Sequence, residues 1–199
     1  MKEITFSKDY TPINTDISLV YIPKFISSKT AEKFCNIFER SIIWNTESYK
    51  MFGKVINAPR LIALYGDNGI SYKYSGVNHV ALLWTKELID IKRLIESEIN
   101  YKFNSVLLNF YRSGCDSMGW HSDNEKVLGS NPKIASLSLG SERKILFRNI
   151  YTKKTVFITL QSGSLLFMKG NTQSCWKHSI PKTRVDKGKR INLTFRYIQ

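Results

Sequence analysis

The chain has 199 residues, 42% of them hydrophobic, enough apolar material for one soluble domain with a sizeable core. Its 30 Lys and Arg against 16 Asp and Glu leave a formal net charge of +14, which favours a polyanionic partner over the alternative of a merely basic protein. Three cysteines without C-x-x-C spacing read as reduced thiols of a cytoplasmic protein, not as a disulfide framework or zinc site, and with no apolar signal core, spanning run or basic amphipathic helix a membrane partner is less expected than a nucleic acid.

In chain order, residues 1–26 contain the short apolar run 19–22, expected as a strand added to a larger sheet. Ser27 or Ser28 can cap a helix in which Ala31, Phe34, Cys35, Phe38 and Ile42 recur at helical spacing. A second helix is expected over roughly 87–99, with Leu88, Ile91, Leu94 and Ile95 facing inward. From Asn104 the pattern changes to short strands at 106–111, 135–139, 145–147, 156–160, 165–168 and 191–197, punctuated by glycines. This reads as one α+β domain whose core is a double-stranded β-helix, or jelly roll, braced by two helices. There is no internal repeat, low-complexity segment or linker.

The chemistry concentrates in residues 119–125 and near the C-terminus. His121 and Asp123 are two apart, so on an extended strand both side chains leave the same face. His178 can supply a third ligand from a neighbouring strand. Two imidazoles and a carboxylate hold Fe(II) with coordination positions left open, whereas structural zinc prefers four closed ligands. A lone histidine is more often structural, but that reading does not account for Asp123, His178 and the arginines together. At period two, Arg190, Asn192, Thr194 and Arg196 share one strand face, and Ile191, Leu193 and Phe195 the other. Two arginines on one face of a buried strand need anions beside them, and a small dicarboxylate suits the guanidinium fork. Asn109 and Tyr111 also share a face, either as a polar pocket wall or as ordinary sheet polarity.

His121-x-Asp123, the distant His178 and Arg190-x-Asn192-x-Thr194-x-Arg196, in this order, resemble the signature of the AlkB family of Fe(II)/2-oxoglutarate-dependent nucleic-acid dealkylases. The likeness runs from about Phe52 to the C-terminus. It implies that His121, Asp123 and His178 hold Fe(II) and that 2-oxoglutarate is the second cofactor. Its distal carboxylate would meet Arg190, helped by Asn109 and Tyr111, with Arg196 and Asn192 at the 1-carboxylate end and Thr194 on the same wall. The implied reaction oxidises an N-alkyl carbon on a damaged base and releases formaldehyde, succinate and carbon dioxide. The single domain would then carry the helices and a hairpin lid for nucleotide recognition in 1–103, and the catalytic jelly roll in 104–199.

A methyl on the Watson–Crick edge is hidden in a duplex, so the base must be flipped out or already unpaired. Met51-Phe52-Gly53-Lys54 offers an apolar wedge with a cation beside it for phosphate. On the residues alone, Phe52 fits a hairpin core better. The stretch nevertheless resembles the finger hairpin of the family branch that repairs double-stranded DNA, and Arg60 matches a second DNA-contacting position there. Tyr72 and Tyr74 alternate onto one face, as base-stacking aromatics or as plain hairpin packing. By resemblance Tyr74 and His121 sandwich the base and Tyr72 lines its pocket, while Glu125 accepts a hydrogen bond from an exocyclic amino group. Arg143 and Lys144, with Lys182, Arg184, Lys187 and Lys189, fall in expected loops and are candidates for phosphate contacts. The expected partner is alkylated double-stranded DNA, met by a monomer. The rival readings are the same chemistry on RNA or single strands, a basic nucleic-acid-binding protein with an inactive metal site, and a protein hydroxylase.

Overall fold

A strand whose side chains alternate in chemistry can serve two different layers, and this chain uses that property to place a polar site between apolar cores. The computed structural model describes residues 1–13, 15–51, 54–74, 77–185 and 187–199, with the side chains of 49–51, 54–56, 72–74 and 77–78 outside the description.

Three two-residue strands, β1 (Lys2–Glu3), β2 (Thr5–Phe6) and β3 (Pro12–Ile13), precede β4 (Leu19–Ile22). Helix α1 (Ser28–Ser41) begins where the Ser27 hydroxyl accepts the Thr30 amide at 3.1 Å, and it buries Ala31, Cys35 and Phe38. The antiparallel pair β5 (Asn45–Met51) and β6 (Lys54–Gly66) sets Met51 opposite Lys54. A second pair, β7 (Ser71–Tyr74) and β8 (Val77–Val80), sets Tyr72 opposite His79. Short β9 (Leu82–Leu83) leads into α2 (Lys86–Ile99), capped by Thr85 and ended by Asn100 in the left-handed conformation. Leu88, Ile91 and Ile95 face inward, but Leu94 is 50% exposed. Its position is about 90° around the helix from the centre of that apolar stripe, so solvent takes it.

The remaining strands are β10 (Ser105–Tyr111), β11 (Met118–His121), β12 (Ile134–Gly140), β13 (Arg143–Asn149), β14 (Thr155–Leu160), β15 (Leu165–Met168), β16 (Trp176–Ile180) and β17 (Arg190–Arg196), with a one-turn helix α3 (Thr172–Cys175) before β16. Every strand expected from the apolar runs appears within two residues at either end. The major sheet runs β4-β15-β12-β17-β10-β6-β5 with β9 beside β6, and the minor sheet β1-β14-β13-β16-β11. Only β1 on β14 and β9 on β6 pair in parallel among the described strands.

This is a double-stranded β-helix with α1 and α2 on the outer face of the major sheet. Phe38, Leu88, Ile91 and Ile95 from the helices pack with Val106, Leu108 and Phe110 of β10 and Ile191, Leu193 and Phe195 of β17. The opposite faces of the same strands look into the space between the sheets, where Leu107, Ile145, Leu160, Met168 and Ile180 form a second core. All seven residues of β10 and of β17 are consequently buried. Along β17 the alternation separates helix-facing core from pocket, not inside from outside. Among the described residues, no helix is long and apolar enough to cross a membrane.

Candidate active site

Pairing of β11 with β16 sets His121 opposite His178, their ring centroids 4.2 Å apart. The register slips between Met118 and His121, a bulge of the kind that re-aims a side chain beside a site. Because β11 ends at His121, Asp123 does not share the extended strand that its spacing suggests. The chain beyond the strand aims it instead. Its amide donates to Gln173 Oε1 at 2.9 Å, and its Oδ2 lies 3.0 Å from Arg196 Nη2. One ligand atom from each of His121, Asp123 and His178 then falls within 4.8 Å of the other two.

Protonation suits a cation. Burial opposes charge on Asp123, yet Arg196, then His178 and His121, outweigh it and hold the carboxyl down at about 2. Burial, aided by His121 and Arg196, pushes His178 down to about 3 against the pull of Asp123. Burial lowers His121 as well. At neutral pH the cluster is one carboxylate and two neutral imidazoles, the forms that bind metal. His121 Nδ1 donates to the Gly119 carbonyl at 2.9 Å, which leaves Nε2 as its free lone pair. Asp123 Oδ1 is buried with no hydrogen-bond partner among the described residues. This donor set fits Fe(II) better than a closed four-ligand zinc site.

The cluster adjoins a cavity lined by Asn109, Tyr111, Arg190, Asn192, Thr194 and Arg196, with Leu107, Ile145, Leu160 and Ile180 as apolar walls. Arg190 is 1% exposed, and its Nη2 donates to Ser138 Oγ at 3.0 Å. Its Nε and Nη1 have no hydrogen-bond acceptor among the described residues. Two guanidinium groups approach the Tyr111 ring, that of Arg190 at 5.0 Å and that of Arg143 at 5.5 Å from its centroid. A buried cation with unused donors is costly alone and well placed for a carboxylate. Asn192 is differently engaged: its amide donates to Ser136 Oγ at 2.8 Å and the Leu137 carbonyl at 2.9 Å, and its Oδ1 accepts from Thr194 Oγ1 at 3.1 Å. Both line the cavity, and Asn192 ties β17 to β12.

On the substrate side, Phe52 and Gly53 lie outside the described residues, as do the side chains of Lys54, Tyr72 and Tyr74. Glu125 follows the ligand turn with its Oε2 buried and unpaired among the described residues. Two cations expected at nucleic acid are buried among protein partners. Arg60 is 4% exposed, and its Nε donates to Asn109 Oδ1 at 2.7 Å. Arg143 is equally buried on β13 and donates to the backbone carbonyls of Ser113, Asp116 and Pro181, so it clamps two loops and cannot reach a phosphate. Lys144 next to it is exposed. Gln173, Ser136 and Ser138 join the site without having been expected there. The two serines carry a signal, since they are polar positions two apart in an apolar run.

A family model described as the 2OG-Fe(II) oxygenase superfamily matches residues 18–196. The chain is 31% identical over 210 residues to the DNA oxidative demethylase ALKBH2 of Arabidopsis thaliana, covering 90% of this chain and 66% of that protein. It is 36% identical over 196 residues to the alpha-ketoglutarate-dependent dioxygenase alkB homolog 3 of Bos taurus, covering 92% of this chain and 68% of that one. The chain spans about two thirds of the length of these curated relatives. The solved structure of OsALKBH1 superposes with a TM-score of 0.68 at 18% identity, over 92% of this chain and 100% of that chain, a likeness of fold.

Proposed function

This chain belongs to the AlkB family of the 2OG-Fe(II) oxygenase superfamily, and we propose that it demethylates 1-methyladenine and 3-methylcytosine in DNA, acting on the duplex. The observation that carries the reading is one cavity in which the His121, Asp123 and His178 ligand set shares a wall with the unused donors of Arg190. That wall offers ligand atoms for a metal next to donors suited to a small dicarboxylate. Iron, when bound, supplies the oxidation of the N-alkyl carbon at the expense of oxygen and 2-oxoglutarate.

The side chains supply binding and orientation. Arg190 and Tyr111 receive the distal carboxylate of 2-oxoglutarate, and Asn109 turns its amide toward the same end. Arg196 serves the other end while its charge keeps Asp123 ionised. Leu107, Ile145, Leu160 and Ile180 exclude water from the reacting side. Glu125 accepts from the exocyclic amino group that adenine and cytosine both present, a role that suits a buried, unpaired carboxylate oxygen.

For DNA the support is the net charge of +14, the likeness of residues 51–54 to a finger hairpin and the similarity to a protein named a DNA oxidative demethylase. Phe52 fills the gap left by the flipped base, Lys54 meets phosphate, and Tyr72 and Tyr74 face the base. Turnover of Phe52→Ala on matched duplex and single-stranded oligonucleotides tests this. Duplex turnover should fall about tenfold or more with single-strand turnover retained; an equal response on both substrates would refute the wedge.

A further inference from the structure

A guanidinium buried beside the cavity needs a partner that justifies its cost. Arg60 stands on β6, whose pairing with β10 sets Ile62 opposite Asn109. From there its Nε donates to Asn109 Oδ1 at 2.7 Å. Arginine offers donors and no acceptor, so the Asn109 amide has one permitted orientation, oxygen toward Arg60 and Nδ2 away from it. Without Arg60 the amide could turn over and present its oxygen to a bound carboxylate, which would repel it.

Glu47 on β5 supplies the opposite charge. It is 5% exposed, and its Oε2 lies 3.8 Å from Arg60 Nη2. Its Oε1 is 3.4 Å from Nε2 of His79, the residue opposite Tyr72 in the β7–β8 pair. Glu47 Oε1, Arg60 Nη2 and His79 Nε2 form no hydrogen bond among the described residues, whereas Arg60 Nε makes a short one to Asn109.

We propose that Arg60 is a positioning residue for the co-substrate: it holds the Asn109 amide so that Nδ2 donates to the distal carboxylate of 2-oxoglutarate, with Glu47 as its counter-ion. This rests on the assignment of Asn109 to the co-substrate made above. Its role is distinct from a nucleic-acid contact, because the side chain spends its Nε inside the protein.

The test is calorimetric titration of 2-oxoglutarate into oxygen-free protein loaded with Mn(II), comparing the unmodified chain with Arg60→Met, Asn109→Ala and the double variant. A Glu47→Gln, Arg60→Met pair guards against misfolding around an unpaired buried acid. Each single substitution should weaken 2-oxoglutarate about tenfold, and the double no more than either, as expected of residues acting through one bond. In turnover the change should appear in KM for 2-oxoglutarate more than in kcat. Unchanged 2-oxoglutarate affinity in both Arg60 variants overturns the proposal, whether or not KM for the oligonucleotide rises, and so does full additivity with Asn109→Ala. If Asn109→Ala itself binds 2-oxoglutarate normally, the assignment of Asn109 has failed, which is a separate result.

Discussion

Arg196 Nη2 lies 3.0 Å from Asp123 Oδ2, so the end of β17 reaches across to the metal ligand that follows β11. That contact occupies one carboxylate oxygen and leaves Oδ1 for a cation. Gln173 completes the arrangement from α3 by accepting the Asp123 amide at 2.9 Å. Partners that orient a ligand typically change metal affinity by about 10–100-fold when removed. Gln173→Leu should therefore weaken metal binding by about tenfold or more in a direct titration, and Gln173→Glu, which keeps an acceptor, should recover most of it. Equal affinities in all three proteins would show that Asp123 is held by other means.

Arg190 gives a pair of opposite effects. Its unused buried donors cost stability in the ligand-free protein and favour a carboxylate ligand. Arg190→Met should raise KM for 2-oxoglutarate by at least about thirtyfold, the factor equivalent to ~2 kcal/mol, while the melting temperature of the ligand-free protein stays level or rises. Thermal melts and co-substrate titrations read both. A fall in melting temperature with KM unchanged would make Arg190 structural.

Gly140, at the turn from β12 to β13, has φ +86°, and a Cβ there would sit 2.4 Å from the Lys189 carbonyl just ahead of β17. Gly140→Ala should cost on the order of 2–3 kcal/mol in a denaturant melt. Gly119 has open space where its Cβ would be, so Gly119→Ala should leave stability nearly unchanged. A comparable loss at both positions would contradict the close approach at Gly140.

Glu96 on α2 provides a pH signature away from the site. Burial would raise its carboxyl, but the Phe103 amide at 2.8 Å, Lys102 at 3.0 Å and Lys92 at 3.1 Å outweigh burial and hold it below its ordinary 4.5. A lowered folded value means the unfolded chain takes up the proton first. The stabilisation is full above about 4.5 and is lost as pH falls through the folded value. Glu96→Gln should be ~1–2 kcal/mol less stable than the unmodified chain at pH 7, and the gap should narrow in acid melts. A gap independent of pH would mean that shape, not charge, matters there.

The jelly roll was legible because β10, β12, β15 and β17 are apolar runs bounded by turns, and the order His121, Asp123, His178, Arg190, Arg196 named the chemistry. Legibility ended where tertiary contact decides. No spacing rule shows that β11 bulges and stops before Asp123, or that Gln173 holds it. Arg60 and Arg143 resemble surface cations in a basic chain, and only burial shows them bonded to Asn109 and to three carbonyls. Leu94 fits a loose helical pattern but misses the stripe once the axis is fixed.

Demethylation itself is read by formaldehyde release from matched oligonucleotides carrying 1-methyladenine or 3-methylcytosine, as single- and double-stranded DNA and as RNA. Fe(II), 2-oxoglutarate and ascorbate are supplied, then omitted one at a time. Release should require both iron and 2-oxoglutarate, with duplex DNA turned over at least as well as single strands. Release confined to RNA or single strands would contradict the duplex assignment, and consumption of 2-oxoglutarate without release from any of them would contradict the substrate class.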